Sequence, residues 1–134
     1  MKNVLGFIGY TVENEILQKL IVVEEDSVKS LLTTEIDEDA GPSDSFLDMG
    51  IEAFSKDTGI KIGDISKWLW LDELTSSDTK MYLFGVNVSG KENEFVPSDK
   101  SCKYLDIEDA LKTKDVFVYA AFFKLFMQVY KKTL

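Results

Sequence analysis

"GPSDSFLDMGIEAFSKDTGI", residues 41–60, is the stretch around which the rest of the chain can be read. Leu47, Ile51 and Phe54 recur at i, i+4 and i+7, the apolar stripe of an amphipathic helix. Gly41 and Pro42 supply loop chemistry ahead of it. Ser45 followed by Asp48 has the form of a capping box, with the shorter aspartate standing where glutamate is usual. Gly59 is placed to end the helix in the left-handed conformation. The spacing predicts a helix over Phe46–Thr58.

Upstream, "NVLGFIGYTV" (3–12) and "EILQKLIVVEE" (15–25) cluster β-branched and aromatic residues around a polar break, which reads as two strands. The acidic run "EIDEDAGPSDS" (35–45) reads as a loop leading into the helix. Downstream, "ISKWLWL" (65–71) and "KMYLFGVNV" (80–88) read as strands joined by the turn formers of "DELTSSD". A long loop, "SGKENEFVPSDK" (89–100), leads to a short strand, "CKYLDI" (102–107), and a brief helix begun by Asp106 with Asp109 three residues on. The final "DVFVYAAFFKLFMQVYKKTL" (115–134) reads as a helix with Lys124, Gln128 and Lys131 as a narrow polar stripe, apolar enough to be largely buried.

This element order, together with the 41–60 stretch, resembles the Nudix hydrolase superfamily, whose box runs from a glycine through an acidic residue to Arg-Glu-hydrophobe-x-Glu-Glu-x-Gly-hydrophobe. Aligned on Thr58-Gly59-Ile60, the hydrophobic position of the box falls on Phe54 and its upstream acid on Asp44. The resemblance implies an α+β fold, a Nudix-like mixed β-sheet flanked by helices, over a single domain spanning 1–134. It also shows a degenerate box. Glu52-Ala53 stands where the family has Arg-Glu, Lys56-Asp57 where it has the Glu-Glu pair, and Glu38 where it has the first glycine.

Positions 53, 56 and 57 share one helix face, where three carboxylates would hold a divalent cation. Here that face offers a methyl, an ammonium and one short carboxylate. A lysine repels Mg²⁺ and donates no oxygen to it. The expectation is therefore a non-catalytic binding or regulatory protein, with no catalytic residue, metal or cofactor. Lys56 is expected to replace the metal's charge, by pairing with Glu52 or Asp57 or by holding a ligand phosphate. Trp68 and Trp70, two apart on one strand and so on one side, could form with Tyr82 a wall for a nucleotide-like ligand, although paired tryptophans are more often core filling. The alternative is a divergent Mg²⁺-dependent hydrolase of nucleoside diphosphate-linked compounds. Its metal would sit on Asp48, Glu52 and Asp57, with Glu92 and Glu94 of the long loop joining Glu52 and Asp57 as catalytic residues.

Composition sets the outer limits. The chain has 134 residues, 45% of them hydrophobic, enough for one domain with a core. A net charge of −9 repels nucleic-acid backbones and anionic lipids and points instead to a protein partner or a small ligand. The absence of histidine excludes a Ser-His-Asp triad, and the one cysteine, Cys102, leaves no internal disulfide and reads as an ordinary strand residue. With neither a signal-peptide pattern nor a transmembrane-length apolar run, a cytoplasmic setting is expected. The apolar terminal segment makes a homodimer a further expectation.

Overall fold

The computed structural model describes residues 2–36, 44–75, 77–99 and 101–131, apart from the side chains of Asp44 and Ser45. The acidic run from Asp37 to Asp39 lies outside these residues, and so does the side-chain half of the predicted Ser45 cap. Among the described residues, seven strands and three α-helices make an α+β fold: β1 (Lys2–Glu13), β2 (Ile16–Glu25), β3 (Val28–Ser30), β4 (Leu32–Ile36), α1 (Asp44–Thr58), β5 (Trp68–Thr75), β6 (Thr79–Asn87), β7 (Cys102–Asp106), α2 (Ile107–Ala110) and α3 (Val116–Lys131).

The sheet is mixed. β1 runs antiparallel to β2 and β4 on one side and parallel to β6 on the other, with Phe7 opposite both Leu32 and Phe84. β5 closes one edge by pairing with β6, while β2 also carries β3 and β7. The alternation of side chains along a strand explains the two faces. Val4, Ile8 and Tyr10 of β1 join the core under α3, whereas Leu5 and Phe7 join the core under α1. Gly85 allows α3 its close approach, because a Cβ there would lie 2.8 Å from a Leu125 methyl.

The tight turns follow local chemistry. Asn14 and Glu15 between β1 and β2, then Asp26 and Ser27 between β2 and β3, hold consecutive positive φ values, the conformation that matches two-residue hairpins to strand twist. At the end of α1, Gly59 adopts φ +82° and its N–H donates to the Ser55 carbonyl at 2.8 Å, as the sequence pattern predicts.

Four expectations need correction. Residues 2–36 form four strands rather than two, because β3 and β4 are short and β4 interleaves polar residues between buried Leu32 and Ile36. The strand expected from Ile65 begins at Trp68; Ile65–Lys67 is a 3-10 turn held by the Asp64 carboxylate, which accepts from the Ser66 N–H. Asp106 makes no side-chain cap to α2 and instead faces Lys19 at 3.6 Å. Finally, α3 buries only one face, Val118, Ala121, Phe122, Leu125 and Val129, while Val116, Tyr119, Phe123 and Met127 stay exposed.

Candidate functional site

α1 lies across one face of the sheet with Phe54 fully buried, packed edge-on against Phe7 and Trp68. That anchoring fixes which side chains face outward. Asp48, Glu52 and Lys56, each one turn from the last, line a shallow cleft of about 710 Å³ with Met49, Ala53 and Thr34 of β4. Asp57 follows Lys56 directly, so it projects about 100° further round the helix. It lines a second cleft of about 310 Å³ with Thr33, Asp99 and Cys102, so positions 53, 56 and 57, expected on one face, open into two clefts, and Asp57 does not join Asp48 and Glu52.

The two clefts differ electrically. Burial pushes the Asp57 carboxyl above its usual pKa; the Lys56 ammonium partly offsets this, and the Asp99 charge adds to it. Asp99 is held below the usual range by Ser101, whose backbone N–H and hydroxyl both donate to its Oδ1 at 2.9 Å. The Cys102 thiol, buried and facing these two carboxylates, is pushed up to about 11. Lys56 reaches Asp57 only through its field, since among the described residues no ion pair joins it to Asp57 or Glu52.

The remaining sequence candidates are spread over the molecule. Glu92 accepts from the Gly90 N–H at 2.8 Å and lines a third cleft with Lys19 and Tyr104. Glu94 stands exposed in a 3-10 turn of the long loop. Among the described residues, no three acidic or thiol side chains come close enough to share a metal ion.

Trp68 takes the core-filling place: its indole N–H donates to the Ile62 carbonyl at 2.9 Å, and its ring packs against Phe7, Phe54 and Phe84. Trp70 lies on the same side of β5 but is 46% exposed, its ring 5.4 Å from that of Phe84 and 6.2 Å from that of Tyr82. Tyr82 in turn packs on Phe46 at the start of α1, ring centroids 5.3 Å apart. An aromatic shelf thus adjoins one end of α1 and Lys56 the other.

Two contributions escaped the sequence reading. Thr34 reaches the Lys56 cleft from a strand too short and too polar to stand out, and Asp99 and Cys102 meet Asp57 only through tertiary folding.

By sequence, no family model and no curated protein matches the chain. By structure, it is similar to Shewanella oneidensis NrtR, with TM-score 0.72 and 12% identity, over 100% of this chain and 66% of that one. The separate Nudix domain of that protein, solved with ADP ribose, superimposes with TM-score 0.65 at 12% identity, covering 98% of this chain and 88% of that one. The C. elegans Ap4A hydrolase gives TM-score 0.63 at 10% identity, covering 98% and 99%. The C-terminal domain of mouse MUTYH, solved in complex with human PCNA, gives TM-score 0.64 at 8% identity, covering 99% and 89%. At such identities the likeness is one of fold.

Proposed function

We propose, from the premise of a Nudix-like fold, that this chain is a binding or regulatory protein that takes a nucleotide-like ligand or a protein partner without hydrolysing it. One observation carries the reading: the carboxylates of α1 diverge. Asp48 and Glu52 share one cleft with Lys56, while Asp57 turns into another with its pKa raised by burial. A hard divalent cation needs several convergent oxygens. Ala53 and Lys56 supply none on the face where the family holds its metal, so these residues do not fit Mg²⁺.

The same groups suit an anionic ligand better. Lys56 offers a point charge for a phosphate, and Trp70 offers an open ring face beside Tyr82 for a base. Phe46, on which Tyr82 packs, and Lys56 are separated by about 15 Å along α1 at the rise of an ordinary helix. An extended nucleotide conjugate can cover that span. The NrtR domain solved with ADP ribose and the MUTYH domain solved with PCNA support ligand and protein capture, respectively, as uses of this fold.

The runner-up, a divergent Mg²⁺-dependent hydrolase, draws on Asp57 and Asp99 facing one cleft. Calorimetric titration with ADP ribose and related nucleoside diphosphates separates the readings. Binding without added metal, weakened at least tenfold by Lys56→Glu or Trp70→Ala, supports capture. Binding that needs Mg²⁺ and ends in phosphate-bond cleavage supports the hydrolase.

A further inference from the structure

The outer face of α3 is apolar along its length. Val116, Tyr119, Phe123 and Met127 fall on one stripe, exposed by 82%, 53%, 55% and 56%, respectively. At the size of such side chains this stripe presents on the order of 500 Å² of apolar surface, as large as the biggest patch on an ordinary monomer. The opposite face already packs on the sheet, and among the described residues nothing else covers the stripe.

We infer that this face joins a second copy of the chain through antiparallel pairing of α3 about a dyad at Phe123. Three features favour that occupant. Two such stripes together bury about 1,000 Å², the lower bound of a specific interface. The spacing is self-complementary: with Phe123 on the dyad, Tyr119 faces Met127 of the second copy and Met127 faces its Tyr119, so each of the two contacts sets sulfur against an aromatic ring. No acidic residue lies between Val116 and Lys131, although the chain carries 24 of them and a net charge of −9. Pairing here brings no carboxylate of α3 against its counterpart, which spares the two acidic copies that repulsion at the contact.

Sedimentation equilibrium at about 100 µM, well above the dissociation constant of a modest interface, tests this. The expected result is twice the monomer mass for the wild type, held or strengthened by added salt. Phe123→Glu is expected to give a monomer with unchanged helix content, since the side chain is exposed. Phe123→Cys is expected to form a cross-linked dimer on mild oxidation, while buried Cys102 does not react. A monomeric wild type leaves the stripe to a different occupant and overturns the inference. So does a dimer that survives Phe123→Glu, and a dimer whose Phe123→Cys form does not cross-link overturns the antiparallel pairing.

Discussion

The Val96 N–H donates to the Thr58 carbonyl at 2.9 Å, tying the long loop after β6 to the last turn of α1. Ser98 repeats the tie one residue back, donating to the Asp57 carbonyl at 3.2 Å. Carbonyls that a helix end leaves without partners are thereby satisfied by the loop. The position of Asp57 beside Asp99 follows from this clasp.

Gly59 makes the clasp feasible. A Cβ there would lie 2.8 Å from the Val96 carbonyl oxygen, and the residue already holds φ +82°. Gly59→Ala is expected to destabilise the protein by about 2 kcal/mol or more, from left-handed strain plus backbone contact. Urea unfolding measures the loss, and faster hydrogen exchange at Val96 and Ser98 should accompany it.

Asp57 gives a pH signature of unusual sign. Its folded pKa lies above the unfolded value of 3.8, so the folded state favours the proton. The contribution of this group is most favourable below pH 3.8 and is lost as pH rises through the folded pKa. Asp57→Asn is therefore expected to raise the melting temperature slightly at pH 7 and to leave it unchanged near pH 3. Asp99 acts in the opposite sense, with stability present above 3.8 and lost as pH falls through its lowered pKa.

Cys102 is expected to be chemically quiet. With its thiol at about 11 and its side chain buried, the thiolate fraction at pH 8 is negligible. Ellman's reagent should react slowly with the native protein and rapidly in denaturant. Equal rates would place the thiol at the surface.

Among the described residues Lys29 is the buried cation, 7% exposed, with Nζ 2.9 Å from the Lys112 carbonyl and 3.1 Å from Glu24. It pins the segment ahead of α3 to β3. Lys29→Ala is expected to cost about 2 kcal/mol by leaving that carbonyl and carboxylate unpaired. Chemical denaturation checks the size, and Lys29→Arg should recover part of the loss.

Much of the fold was legible where periodicity is strong. The stripe Leu47, Ile51, Phe54, closed by Gly59, marks α1, and the apolar runs of β1, β2 and β6, rich in β-branched and aromatic residues, mark strands. β3 and β4 were not legible, since three to five residues with interleaved threonines carry too little pattern. The exposed face of α3 was not legible, because composition reports how apolar a helix is without saying how much of it has a neighbour. In the site, the loss of acidic residues at 53 and 56 could be read directly from α1. The turning of Asp57 toward Asp99 and Cys102 could not, because those residues approach it only once β7 pairs with β2.

The central claim is that α1 captures a ligand or partner without a metal. Calorimetric titration of Mn²⁺ and Mg²⁺ into the protein, with phosphate release followed from nucleoside diphosphate-linked compounds, tests it most directly. No saturable binding at submillimolar metal and no phosphate release are expected. Saturable binding and turnover that both vanish in Asp57→Asn would contradict it.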